Sequence, residues 1–433
     1  MKFLVFSKSG DGNGLAWRLM QEGHEVRIWY WDKRYAVQYD GIVDKVEHFE
    51  EGLEEGVICV FDMVGQGKLA DELKEAGYVV FGAGEFMDNL ELDREFSMET
   101  FVRHGIEIPE TFSFDHVDEA IDWAKGAEGK WVIKPNGNQS CMTTAIVEGA
   151  EQLANELAYM KEHNITKKGL IIQEFIEGLE ISTELFLGLE ISTELFLSKG
   201  EPILPVNHTL ETKKLLNGDL GPNTGCSSSI VWGGETNDFI YRNTIKKLIS
   251  GLGDWTGPLD LNVIVSEDGK PYVLEPTCRF GWSAALAMFE ILPMGVGEFI
   301  EGIAKGTIRK IDWKKGFGGA LRIWIPPYPF EAENEEFNQK IYEQTKGIEL
   351  EFPLEEGFYP QDVVYENDTF KMAGTDGIVM EVTSWKMNIP RLIQDLMAKA
   401  KRVKVPGGGY RTDIAEDGVR RYRKFLELAR KGK

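Results

Sequence analysis

The sequence is short of cysteine, of positive charge and of long apolar runs. Its four cysteines, Cys59, Cys141, Cys226 and Cys278, lie far apart among 433 residues and form no CxxC pair. That spacing argues against structural zinc and a disulfide framework, and it favours a reducing cytoplasm. Lysine and arginine number 48 against 71 aspartates and glutamates, a net charge of −23. Such a field repels phosphate backbones and anionic lipid, which excludes a broad nucleic-acid-binding face. An anionic ligand would need a local pocket of positive charge. No apolar stretch approaches the roughly 18 residues of a membrane span. The opening, MKFLVFSKSGDGNG, has the form of a first buried strand and not of a signal peptide. Low-complexity segments are missing as well.

What is present is ordinary for a multidomain soluble chain: 42% apolar and 27% charged residues, at a length that favours two to four domains. Residues 1–90 alternate apolar strands (KFLVFS, VICVFDM, YVVFG) with helical patterns, the rhythm of a parallel α/β domain. A Gly-rich turn, SKSGDGNG, opens the first helix, where backbone N–H groups could receive a phosphate. From 91 to 311 the texture becomes α+β, with a lid expected at about 113–178, and 312–433 reads as a small C-terminal α/β unit. The terminal helix, GVRRYRKFLELARKGK, is expected to pack Tyr422, Phe425 and Leu426 on its own domain and to leave its alternating charges in solvent.

One stretch repeats itself. The decamer GLEISTELFL fills 178–187 and again 188–197. Its alternation marks a β-strand, and ten is an even number, so both copies keep the same face apolar. A single strand holding both would run about 60 Å at roughly 3.3 Å per residue, far beyond the usual ten residues. One copy must therefore leave the sheet, bulge or extend a hairpin, and the sequence favours neither Glu180 nor Glu190 as the acid that follows Gly-Leu.

Four stretches carry the chemistry. Lys134 ends an apolar strand before a polar loop, NGNQS. The run IIQEFIEGLE closes in acids. Asn262 lies thirteen residues before Glu275 across a SEDGKP turn, so the two can sit side by side on adjacent strands, and Arg279 follows four residues later. Phosphoryl transfer from ATP to a carboxylate needs these types: a lysine for phosphate charge, oxygen ligands for hydrated magnesium, and an arginine for an acyl phosphate. Singly, each is more often a solvated surface residue.

In the order VIKP, IIQEFIEGLE, NGDLGPNTG and YVLEPTCRFG, these stretches resemble the ATP-grasp superfamily, and more closely the glycinamide ribonucleotide synthetases (phosphoribosylamine-glycine ligases). The likeness extends to GLAWRL near the start and to AGTDGIVMEVTS and YRTDI near the end. It implies an ATP-grasp core with a lid between two further domains, and glycine joined to phosphoribosylamine at the expense of ATP. It implies further that Lys134 contacts the ATP phosphates, that Gln173, Glu174 and Ile176 line the adenine, and that Glu180 accepts from the ribose. Glu275, with Asn262 and Thr277, would hold Mg2+, or Mn2+ in its place. Asn223 and Arg279 would face the amino acid and acyl phosphate, Gly221 and Thr224 of GPNTG would bind substrate beside Asn223, and Ser9 and Gly10 would approach the sugar phosphate. The expected partners are small-molecule substrates, with no nucleic acid and no membrane, for a monomer or small homo-oligomer.

Departures from the family pattern are concentrated at the substrate end. Met98 stands where a second ATP-contacting lysine is expected, Thr277 where an asparagine is, and Trp282, Ser283 and Ala284 replace an acidic continuation. The basic first turn is Asp11, Gly12 and Asn13, and a Gly-Pro-Glu string is FDMVGQG. Two alternatives therefore stay open: a paralogue coupling another amino acid or amine, and a non-catalytic ATP-binding protein of the same fold.

Overall fold

The computed structural model describes residues 1–136, 144–176, 189–330 and 335–432. Residues Lys2–Ser7 (β1), Glu25–Tyr30 (β2), Asp44–Lys45 (β3), Val57–Phe61 (β4) and Val79–Phe81 (β5) form a parallel sheet in the order β3-β2-β1-β4-β5. The runs FLVF and VICVF are buried throughout, as strands covered on both faces must be. Strand order reverses between β1 and β4, where a crevice opens beyond their carboxyl ends. The Gly-rich turn sits at that switch point.

A second sheet is antiparallel. Thr111–Phe114 (β6), Lys130–Pro135 (β7), Ala145–Glu148 (β8) and Leu170–Glu174 (β9) take the order β6-β9-β7-β8. It has a small core of its own, in which Ile133, Leu170 and Ile172 pack with Leu153 and Leu157 of the helix Gly149–Glu162. Alternation then turns Lys134 to the opposite face.

The largest sheet is built from Leu189–Ser198 (β10), Glu201–Leu216 (β11), Leu220–Gly233 (β12), Gly257–Val265 (β13), Pro271–Thr277 (β14) and Phe317–Trp324 (β15). After Glu349–Leu350 (β16), Phe358–Pro360 (β17), Val363–Glu366 (β18) and Thr369–Met372 (β19), the strand Ile378–Lys386 (β20) completes it. Its order is β14-β13-β10-β11-β12-β15-β20-β17, so one sheet takes strands from both sides of residue 311; β16, β19 and β18 form a separate three-stranded sheet.

The second decamer forms a strand of this sheet. As β10 it pairs with β13 on one side and β11 on the other. Its turn falls at Lys199–Gly200, both with positive φ (52° and 76°), the conformation a two-residue hairpin loop requires. Ile191, Thr193, Leu195 and Leu197 are buried in the core, as the alternation predicts. The first decamer, with Glu180, lies outside the described residues, as does most of NGNQS. The terminal helix, Ile414–Lys431, partly departs from expectation. Phe425 packs against His208, Trp232 and Phe239, and Tyr422 against Trp232 and Phe317, so the face packs mainly on the segment before residue 311 rather than on its own unit, and Leu426 is exposed.

Removing residues 178–187 or residues 188–197 yields the same polypeptide, because the copies are identical. The remaining copy then supplies β10 and its cavity-facing glutamate. The shortened chain is expected to bind nucleotide as the parent does and to melt no lower, measured by calorimetry and thermal denaturation; lost binding would make the additional ten residues part of the site.

Candidate active site

A cavity of about 770 Å3 lies among the four-stranded antiparallel sheet, the large sheet and the Gly-rich turn. That volume suits a nucleotide-sized ligand. Of the residues singled out from the sequence, Ser9, Lys134, Gln173, Glu174, Ile176, Asn223, Asn262, Glu275, Thr277 and Arg279 line it. The period of two explains the convergence. On β10 Glu190 and Ser192 face the cavity, and on β13 Asp260, Asn262 and Ile264 do, while the residues between them pack in the core.

Asn262 and Glu275 are direct cross-strand partners, as the hairpin spacing predicts. Asn262 donates to Glu275 Oε1 at 3.4 Å and accepts from Ser192 Oγ at 2.7 Å. Glu275 Oε2 accepts from Arg94 at 3.0 Å, and Arg94 also donates to the carbonyl of Pro135. Burial works against the charge on Glu275, yet Arg94, Lys134 and Lys213 outweigh it and hold its pKa down to about 2. Lys134 is shifted the other way for a lysine. Burial lowers it, Glu275 only partly compensates, Arg94 adds repulsion, and its pKa falls to about 8.

Arg279 is clamped from behind. Glu91 accepts from its Nε at 3.1 Å and from the backbone N–H of Cys278 at 2.6 Å, which fixes the end of β14 and the guanidinium together. The guanidinium of Arg279 lies 5.7 Å from the Trp282 ring, and that of buried Arg322 lies at the same distance. Gly225, at φ 71°, lets this ring approach; a Cβ there would stand 2.3 Å from it.

Three expected contacts are placed elsewhere. Thr224 is buried and donates to the carbonyl of Lys213, Gly221 is exposed near the start of β12 at φ 77°, and Gly10 is buried and does not line the cavity. The turn around Gly10 is also already occupied. Gly12 N–H donates to Asp62 at 2.7 Å, Gly10 N–H to Ser7 Oγ and Asn13 N–H to the carbonyl of Gly10, so an internal carboxylate stands where a phosphate would otherwise be received. Burial and neighbouring Asp11 push the pKa of Asp62 up to about 8.

Sequence reasoning missed Arg94, Lys213 and the basic face of the terminal helix. Lys213 pairs with Glu190, and Arg421 donates to the carbonyls of Glu211 and Glu190. Arg420, Arg421 and Lys424 line the cavity instead of facing solvent alone. Arg94 was detectable in principle: it stands one turn before Met98, on the same helix face.

One carboxylate with neutral oxygens at Asn262 and Thr277 suits a hard cation that keeps waters and shares phosphate oxygens, as Mg2+ does. An all-protein cage is not built here: among the described residues no three His, Cys, Asp or Glu side chains converge for a metal. No described helix is long and apolar enough to cross a membrane.

Residues 92–285 match the family model of the phosphoribosylglycinamide synthetase ATP-grasp (A) domain. A phosphoribosylamine–glycine ligase of Neisseria meningitidis serogroup B is 20% identical over 446 residues, spanning 97% of this chain and 100% of that one. The crystal structure of a phosphoribosylamine–glycine ligase from Thermotoga maritima superposes with a TM-score of 0.73 at 18% identity, covering 95% of this chain and 100% of that one. The biotin carboxylase domain of Hydrogenobacter thermophilus 2-oxoglutarate carboxylase, solved with MgADP and bicarbonate, gives a TM-score of 0.64 at 14% identity, over 94% of this chain and 91% of that one. The parallel N-terminal sheet, the four-stranded antiparallel sheet and the large antiparallel sheet thus make an ATP-grasp fold, and the chain is similar to the phosphoribosylamine–glycine ligases.

Proposed function

We propose that the chain is an ATP-dependent carboxylate–amine ligase of the phosphoribosylamine–glycine ligase kind, joining glycine to phosphoribosylamine to give glycinamide ribonucleotide, ADP and phosphate. The observation that carries this reading is the convergence of Lys134, Arg94, Glu275 and Arg279 in one cavity, the first three on different elements and Arg279 in the loop after β14. Arg94 and Lys134 hold the triphosphate, and Gln173 to Ile176 border the adenine. Glu190, in β10, takes the ribose role assigned above to Glu180. The domain division is 1–90, 91–311 and 312–433, with the lid at about 113–178.

A carboxylate oxygen of the amino acid attacks the γ-phosphorus and ADP leaves. The amine then attacks the acyl carbon, a C–N bond forms, the amine gives up a proton to solvent, and phosphate departs with the electrons of the C–O bond. Arg279, fixed by Glu91, faces the charge that develops on the acyl phosphate and needs no reorganisation to do so. Glu275, with Asn262 and Thr277, would hold Mg2+ or Mn2+, which supplies charge neutralisation on the β- and γ-phosphates. Asn223 orients the carboxylate. At the amine end the side chains of Lys8 and Ser9, and not the occupied N–H groups of the turn, would meet a phosphate. That occupied turn favours one second reading, a ligase of the same mechanism whose amine carries no phosphate.

With phosphoribosylamine and glycine, ADP release is expected, and Glu275→Gln and Arg279→Ala each lower kcat/KM by about 100-fold or more. Activity within a few-fold of the parent in either variant would remove the proposed site. The lysine gives a second test. Because its folded pKa of about 8 lies below the ordinary 10.5, the unfolded chain binds the extra proton between those values. Stability from this group therefore rises with pH over that interval. Affinity for MgATP should move the opposite way, falling above pH 8 as Lys134 loses its charge, and Lys134→Arg should flatten that fall in titration calorimetry.

A further inference from the structure

Two carboxyl groups sit on adjacent strands at the cavity, one lining it and the other behind it. Glu194 on β10 and Asp260 on β13 are direct cross-strand partners, 8% and 7% exposed. Glu194 accepts from Asn207 Nδ2 at 2.8 Å. Asp260 lines the cavity, and its Oδ1 is buried with no hydrogen-bond partner. Acids directly opposite on paired strands destabilise a sheet, and an unpaired buried carboxylate oxygen adds to the cost. A cation entering from the cavity would relieve both.

The nearby protein cations are engaged elsewhere: Lys213 with Glu190, Arg94 with Glu275 and Arg279 with Glu91. A second metal would need a third ligand of the acid or imidazole type, and none converges among the described residues. An ammonium group needs less, since its three N–H donors are served by carboxylate and hydroxyl oxygens. The location agrees. Asp260 is the cross-strand partner of Thr277 and stands two residues before Asn262, between the proposed metal donors and Arg279. A carboxylate undergoing phosphorylation there would carry its α-substituent beside Asp260.

We propose that Asp260, backed by Glu194, binds the α-ammonium group of the substrate, so that the protein activates amino acids and rejects carboxylic acids lacking that charge. This rests on the ligase reading. Hydroxylamine can replace the amine in the test: it attacks the acyl phosphate, phosphate leaves, a proton passes to solvent, and the hydroxamate is measured. The full chain with MgATP is expected to favour glycine over glycolate by about 100-fold or more in kcat/KM. Asp260→Asn should raise the KM for glycine by about 10- to 100-fold and collapse that preference, with kcat and the Kd of MgATP within about twofold. Glu194→Gln should shift the preference in the same direction, and it carries the test if Asp260→Asn does not fold. Equal use of glycine and glycolate by the parent would overturn the ammonium subsite alone, as would an unchanged preference in a folded variant. No hydroxamate from any carboxylate, with MgATP bound, would overturn the ligase reading and the subsite with it.

Discussion

The pairing of β10 between β13 and β11 is the constraint from which the rest of the site follows. One side of this strand is sealed into the core by Ile191, Leu195 and Leu197, and the other delivers Glu190 and Ser192 to the cavity, with Glu194 buried behind Asp260. A slip by one residue would exchange the two sets and turn the aliphatic side chains toward the cavity. Asn262 and Asp260 are positioned by the same ladder, and through Asn262 so is Glu275. The chemistry-bearing side chains are thus held by backbone hydrogen bonds of a central strand, which are less free to move than any loop.

Charge is distributed against the average. In a chain of net charge −23, the cavity gathers Lys134, Arg94, Lys213, Arg279 and three basic residues of the terminal helix. Several are held by a carboxylate that is itself buried or half-buried, so the positive groups are fixed before any ligand arrives. This is preorganisation paid in folding energy, because burial opposes ionisation at Lys134, Glu275 and Arg279 alike. The acidic exterior does not defeat such a pocket: screening confines its repulsion to about 8 Å at physiological salt.

What the sequence made legible was local. The Asn262–Glu275 pairing followed from strand alternation and a turn of fixed length, and Lys134 from its place at the end of an apolar strand. Arg94 was hidden because its partner, Glu275, is 181 residues away and a helix-entry arginine looks like ordinary solvation. Arg420, Arg421 and Lys424 were misread because alternating charge on a helix resembles a solvated face whether or not a cavity lies beneath it. Within GPNTG, Asn223 reaches the cavity while Gly221 and Thr224 shape and anchor the turn, a division that only the register of β11 against β12 decides. The choice between the two decamers lay beyond the sequence, since identical side chains give identical local preferences and only the hairpin at Lys199–Gly200 and the flanking strands distinguish them.

The pairing of β12 with β15 has a consequence for how such a protein can be taken apart. Ser228 to Val231 are bonded to Gly318 to Leu321, so the segment after residue 311 closes an edge that the preceding segment would otherwise expose. Severed there, the larger fragment would present an uncapped row of N–H and C=O groups along an apolar strand, a template for self-association. The C-terminal segment is therefore less an appended module than the selvedge of the sheet, and a gene that lost it would lose solubility together with one wall of the cavity.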